Sequence, residues 1–228
     1  IALVMIEFGF IIQTVQIPFF QVLHLGYWSW PITALWIVGV MNAFNLIDGL
    51  DGLASGLCIV ALTFLSIICW WQGQLSLLLL IMILGGATLG FWSFNRPPAS
   101  IFMGDSGSLF LGFTLAILSI WVMSFPTGQS MLPLLILAIP ILDTTFSIFR
   151  RLLKGIPFYS ADNDHLHHRL ISKGFSPTQA MVLLIVVSVL FGGLALMAYS
   201  LSHLQGFAYI GGMILAYLGL YWLEYDVI

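Results

Sequence analysis

Four polar side chains, Asn42, Asn45, Asp48 and Asp51, recur at every third residue of the stretch Asn42-Ala-Phe-Asn-Leu-Ile-Asp-Gly-Leu-Asp-Gly-Leu53. Residues three apart are neighbours on a helix, so each pair is adjacent, although the row drifts around the axis. Gly49 and Gly52 let the backbone bend or approach a ligand closely. Amide and carboxylate oxygens suit a hard cation such as Mg²⁺. The plainer alternative is a polar turn between two helices with Asp51 as an N-cap, but a cap needs one side chain rather than four at a fixed spacing.

A second stretch, Asn95-Arg-Pro-Pro-Ala-Ser-Ile-Phe-Met-Gly-Asp-Ser-Gly-Ser108, closes one apolar run and opens the next. Gly104, Ser106, Gly107 and Ser108 at a helix start would offer backbone N–H groups and a positive dipole end to an anion. Asp105 is placed to hold a metal bridging to that anion, and Phe102 to stack on a base. A capped loop anchored by Phe102 is the alternative. The third stretch, Ser160-Ala-Asp-Asn-Asp-His-Leu-His-His-Arg169, gathers His165, His167, His168 and Arg169 beside Asp162 and Asp164 and downstream of Arg150-Arg151. Zinc is a poor match because no soft ligand accompanies the histidines. A cationic cradle for a diphosphate fits the arginines better. Asp143, just after Pro140, is either a packed polar group or a functional one; Glu7 and His203 read as ordinary polar residues.

These groups sit in a very apolar chain. Of 228 residues, 61% are hydrophobic and 7% charged, with a mean hydropathy of +1.08, whereas soluble domains carry about 25% charged residues. The composition specifies an all-α, polytopic helical membrane protein forming one integral-membrane domain over 1–228. About eight runs approach spanning length: roughly 1–17, 31–47, 51–71, 75–94, 107–125, 131–149, 178–200 and 206–223. Residues 18–30, rich in aromatics, read as an interfacial loop with a short hairpin. Cys58 and Cys69 read as small buried hydrophobes.

The connections alternate in character. Those near Gly73, Pro126-Thr-Gly128 and His203-Leu-Gln-Gly206 are short and uncharged. The junction at 48–51, the loop 95–106 and the segment 150–177 carry the charge, including all six basic residues: Arg96, Arg150, Arg151, Lys154, Arg169 and Lys173. Counting spans places these three connections on one side, and the positive-inside rule makes it cytoplasmic. The acidic Glu224 and Asp226 fall on the same side. A transporter would strand ionisable groups near the midplane; here they collect at one face. Carboxylate and amide ligands, an anion-binding helix start and a His/Arg cluster on that face suit metal-assisted phosphoryl or sugar-phosphate transfer, with a lipid as one substrate.

The three stretches, in this order and on this side, resemble the polyprenyl-phosphate N-acetylhexosamine-1-phosphate transferases. The resemblance runs from the first apolar run to at least Arg169. It implies a multi-span enzyme using Mg²⁺, with Mn²⁺ as a substitute, in the cytoplasmic membrane. Such an enzyme transfers a sugar 1-phosphate from a UDP-sugar to a membrane polyprenyl phosphate, releases UMP and starts a cell-envelope polymer. By motif position, Asp105 resembles the metal ligand, with Asn45 and Asp48 beside it, and Phe102 resembles the ring that stacks on uracil. Asn42, Asn45, Asp48 and Asp51 match the wall of the metal–nucleotide pocket, Gly104 and Ser106 fall in the substrate-binding helix start, and His165, His167, His168 and Arg169 match the cluster contacting the diphosphate or sugar. The His-Leu-His-His-Arg form is more similar to the undecaprenyl-phosphate N-acetylglucosamine-1-phosphate branch than to the muramoyl-pentapeptide branch with its consecutive histidines. The family also carries an Asp-Asp pair upstream, which this chain lacks; with the first residue Ile1, the expectation is a member truncated at its N-terminus. The other expected partner is the bilayer, a homodimer is compatible, and nucleic acid is not expected.

Two alternatives use the same residues. Gly104-Asp-Ser-Gly107 fits an intramembrane serine protease with Ser106 as nucleophile. A cation-coupled transporter would relay through Glu7, Asp48 and Asp143.

Overall fold

The computed structural model describes residues 1–16, 22–124, 131–155, 157, 165–201 and 205–224. Asp162, Asp164, His203, Asp226 and the connection Pro126-Thr-Gly128 lie outside the described residues, as does part of the aromatic loop 18–30. Among the described residues the regular structure is helical, apart from one two-stranded hairpin. Six helices among the described residues are long and apolar enough to cross a membrane: Gly26–Ile47, Leu53–Trp71, Leu75–Asn95, Gly104–Met123, Pro177–Ser200 and Gly206–Leu223. We label the helical cores α2 (Ser29–Ile47), α3 (Leu53–Trp71), α4 (Leu75–Asn95), α5 (Gly104–Met123), α9 (Pro177–Ser200) and α10 (Gln205–Glu224).

Two of the eight expected spans take another form. The run 1–17 is not one helix. A six-residue α1 (Ala2–Glu7) stops before Gly9, whose φ of +91° suits glycine. The chain then forms β1 (Thr14–Gln16), paired antiparallel with β2 (Val22–His24) so that Thr14 faces His24. The β-branched Ile11, Ile12, Thr14 and Val15 favour this extended path over a helix. The run 131–149 is broken into α6 (Leu132–Ile136) and α7 (Ala138–Leu153) at Leu137. Pro140 explains the place of the break. Its ring would clash with the carbonyl of Ile136, four residues back, while in the first turn of α7 its missing N–H leaves no bond unmade. The break thus falls three residues before Pro140.

α3 is the most enclosed spanning helix, with 72% of its apolar window buried, and α4, α5 and α9 pack around it. Lipid-facing positions such as Leu79, Ile83, Val186, Leu190, Ile214 and Leu218 are exposed on α4, α9 and α10, as expected where hydrocarbon is the solvent. Cys58 and Cys69 are free and buried.

One crossing positions the polar end. α2 and α5 make the most extensive helix pair in the bundle, and Gly112 lets them close. A Cβ there would lie 2.8 Å from Met41 Cα. Small residues at such crossings bring backbones together in membrane bundles. α7 also packs on α2, and the short α8 (Leu166–Ser172) lies on α9. The last turn of α10 returns to the same end, where Lys173 donates from Nζ to the Trp222 carbonyl at 2.5 Å and sits over its ring.

Candidate active site

The α2–α5 crossing carries the first two motifs together. Asn45 Nδ2 donates to Ser108 Oγ at 3.0 Å and approaches Asp105 Oδ1 at 3.3 Å. Ser108 is buried and its hydroxyl donates back to the backbone of its own first turn, so it fixes the amide of Asn45. Gly104 opens α5 with φ +63°, a left-handed step that a side chain would resist. Asp105 and Ser106 follow it on the exposed first turn, and Phe102 just before is 77% exposed. Asn42 is exposed one turn earlier on α2. Asp48 is the residue on which α2 ends.

Asp51 does not cap α3. The N-cap is Gly52 at φ +75°, with no side-chain bond, and Asp51 Oδ2 instead accepts the N–H of Ala99 at 3.0 Å. The loop it holds is pinned from the other side as well. Buried Asn95 accepts from Ser55 Oγ at 2.7 Å and donates to the Ile101 carbonyl at 3.0 Å. Trp92 Nε1 donates to the Gly52 carbonyl at 3.2 Å. A Cβ on Gly52 would press within 3.2 Å of Arg96 Cα, so this glycine is required twice, by φ and by space. Asp51, Asn95 and Ser55 therefore set the path that presents Phe102.

The third motif reaches the first through histidine. His167, only 1% exposed, lies against Gly49: a Cβ there would be 2.7 Å from His167 Cε1 and closer still to Nε2. His165 and His167 are parallel, 5.9 Å apart and 3° from coplanar orientation, and His168 tilts over His167 at 4.2 Å. His168 is exposed and Arg169 half-buried. His165 Nδ1 meets Asp143 Oδ2 at 3.0 Å, and Asp143 Oδ1 accepts the Leu166 N–H at 2.7 Å. All three motifs thus meet at one end of the bundle by direct contact, whatever the number of spans.

Two groups there are electrostatically displaced. Burial, reinforced by the charge of Asp105, raises the Asp48 carboxyl from 3.8 to about 6. Burial also lowers the His167 imidazole from 6.5 to about 4, helped by the charges of His168 and His165 and opposed by Asp143. Among the described residues, neither nitrogen of His167 has a hydrogen-bond partner. Among the described residues, no three His, Cys, Asp or Glu side chains cluster as a self-sufficient metal site. Mg²⁺ does not need such a cage, since it is bound through one or two carboxylates plus waters and substrate phosphates. Asp48 and Asp105, whose mutual repulsion raises Asp48, are a carboxylate pair of that kind, one that a divalent cation would relieve, and the Asn45 amide that donates to Asp105 lies beside them.

Sequence reasoning missed Ser108 as the partner of Asn45, the clamp from Asp51 to Ala99, and the use made of Gly49. Glycine between two carboxylate positions was the available signal for the last. Asp143 was noticed, but its partners lie more than twenty positions away in sequence.

Comparison with known proteins shows what the chain is similar to. The sequence model described as glycosyl transferase family 4 matches residues 1–123, which contain the first two motifs. A probable undecaprenyl-phosphate N-acetylglucosaminyl 1-phosphate transferase of Bacillus subtilis (strain 168) is 39% identical over 194 residues, 84% of this chain and 54% of that protein. The undecaprenyl-phosphate alpha-N-acetylglucosaminyl 1-phosphate transferase of Escherichia coli (strain K12) is 33% identical over 184 residues, covering 76% of this chain and 49% of its own length. That of Salmonella typhimurium (strain LT2) is 34% identical over 186 residues, 77% and 50% of the two chains. The chain spans about half the length of the curated relatives it matches. All three are transferases by name, which leaves the serine protease and transporter alternatives without support. With the match over residues 1–123 containing the very residues that meet at the α2–α5 crossing, this chain belongs to glycosyl transferase family 4.

Proposed function

We propose that this chain forms the catalytic end of a phosphotransferase that moves a sugar 1-phosphate, N-acetylglucosamine 1-phosphate by similarity to its relatives, from a UDP-sugar to undecaprenyl phosphate. The observation that carries this reading is the convergence of the three motifs, through Asn45 with Asp105 and His167 with Gly49. An oxygen of the lipid phosphate attacks the β-phosphorus of the UDP-sugar. A new P–O bond forms, the bond from that phosphorus to the bridging oxygen breaks, and UMP leaves with its electron pair. Asn45, Asp48 and Asp105 would hold Mg²⁺, which when bound neutralises charge on the diphosphate.

The remaining residues bind and orient. Phe102 stacks on the uracil ring. The first turn of α5, Gly104 to Ser106, directs N–H groups toward a phosphate. His168 and Arg169 stabilise the charge that develops as UMP departs. An apolar groove of about 460 Å³ between α2 and α7, lined by Trp36, Val40, Ala43, Ile141 and Ile148, gives the prenyl tail a path along the helix that carries the first motif. By the positive-inside bias the site faces the cytoplasm of a cytoplasmic membrane.

A UMP-release assay on the complete gene product tests this. It is run with a panel of UDP-sugars, with and without undecaprenyl phosphate, and with a chelator control. Release that requires lipid phosphate, UDP-N-acetylglucosamine and a divalent cation is the expected result. Flux of a solute without UMP formation, or release unaffected by chelation, would sink the proposal.

A further inference from the structure

Asp143 sits on α7, buried to 2%, and both carboxylate oxygens are engaged. One meets Nδ1 of His165 at 3.0 Å and the other accepts the backbone N–H of Leu166 at 2.7 Å. Leu166 is the first residue of α8 and His165 its N-cap position, which makes no side-chain capping bond of its own. A carboxylate from another helix thus satisfies an N–H that the start of α8 leaves open, and its charge lies at the positive end of the helix. The apolar side of α8 is held as well, because Leu166 and Leu170 enter a cavity of about 380 Å³ with Ile139, Leu142, Phe191 and Leu223. A buried carboxylate is costly unless hydrogen-bonded, and both bonds it makes here go to the histidine motif.

We infer that Asp143 is a positioning residue for the histidine cluster. It fixes His165 as the tautomer with its proton on Nδ1, and it docks the start of α8 so that His167 reaches Gly49. A neutral imidazole has one donor and one acceptor nitrogen. A carboxylate oxygen only accepts, so Nδ1 carries the proton shared with Asp143, and the ring plane is set parallel to His167. The chain of contacts runs from Asp143 through His165 and His167 to Gly49, next to Asp48. The inference rests on the proposed transfer reaction for its kinetic consequence, but not for its structural one.

The test has two arms. In the first, the full chain labelled with ¹⁵N-histidine is examined in detergent without substrate, the His165 signals being assigned by their loss in His165→Gln. A proton on Nδ1 that moves or exchanges rapidly in Asp143→Asn is expected. Wild-type His165 carrying its proton on Nε2 overturns the inference, and this needs no Asp143 variant to fold. In the second arm, UMP release by the complete gene product is measured for Asp143→Asn, His165→Gln and the double variant. Outer partners that orient a histidine are worth about 10–100-fold, and that loss is expected in kcat with the KM for UDP-sugar nearly unchanged. The double variant should lose no more than the worse single one, as for coupled residues. Additive losses overturn the inference. If the wild type releases no UMP while the NMR arm succeeds, the proposed reaction fails and the positioning role stands.

Discussion

The imidazole of His167 rests on the backbone of Gly49, occupying the space where any other residue would carry its Cβ. Gly49 does not adopt a positive φ, so alanine there tests space alone. Gly49→Ala should push His167 away, destabilise the protein by about 1–3 kcal/mol and lower UMP release. In a His167→Ala background the same substitution should cost little, because the ring is gone. Thermal unfolding in detergent and UMP release, measured for both singles and the double, read the coupling. An equal cost in both backgrounds would separate the first and third motifs.

Asp105 and Asn45 share the α2–α5 crossing. Asp105→Asn keeps the shape and the contact but removes a charge that a divalent cation needs. UMP release should fall more than about a hundredfold, beyond the range of an outer-shell contact, while membrane insertion and monodispersity are retained. Wild-type turnover in this variant would exclude Asp105 from the metal set.

Phe102 and Asp51 divide presentation from contact. Phe102 is exposed, so Phe102→Ala should leave thermal stability unchanged and raise the KM for the UDP-sugar. A lost base–aromatic stack is worth about 1–3 kcal/mol. Asp51→Ala frees the Ala99 N–H, loosens the loop and should raise the same KM with a small loss of stability. An effect of Phe102→Ala confined to stability would argue against stacking.

The two displaced groups pull stability in opposite directions with pH. His167 binds its proton less readily when folded, at about 4 rather than 6.5. Its contribution is therefore present above 6.5 and lost as pH falls toward 4. Asp48 binds its proton more readily when folded, at about 6 rather than 3.8, so it opposes that loss over the window they share. Asp48→Asn removes the opposing trend and should make acid destabilisation steeper between pH 6 and 4. Because the cation competes with the proton on Asp48, stabilisation by Mg²⁺ should be larger at pH 7.5 than at 5.5. Thermal-shift series with and without Mg²⁺ check both, and a Mg²⁺ effect independent of pH would remove Asp48 from the cation site.

Much of this protein was legible along the chain. Uninterrupted apolar runs predict spanning helices because lipid requires each backbone group to be satisfied within its own segment. The polar stretches stand out because charge in such a chain is costly. The local signals failed where two preferences competed. In 1–17, apolarity suggested a span while Gly9 and the β-branched residues after it specified a turn and a hairpin. In 131–149, Pro140 was visible, but the carbonyl it excludes lies one turn back.

Composition and residue spacing specify the membrane class, the three motifs and the chemistry that their residue types allow. Periodicity and composition act over neighbouring positions, and these features are local. Which motif touches which is set by how the helices pack. Gly112 lets α2 and α5 close so that Asn45 meets Asp105 and Ser108, Asp51 turns from its own helix to Ala99, and Asp143 holds His165. Such pairings depend on helix crossings and on a loop's path, which space and hydrogen-bond satisfaction fix across the bundle rather than along the chain.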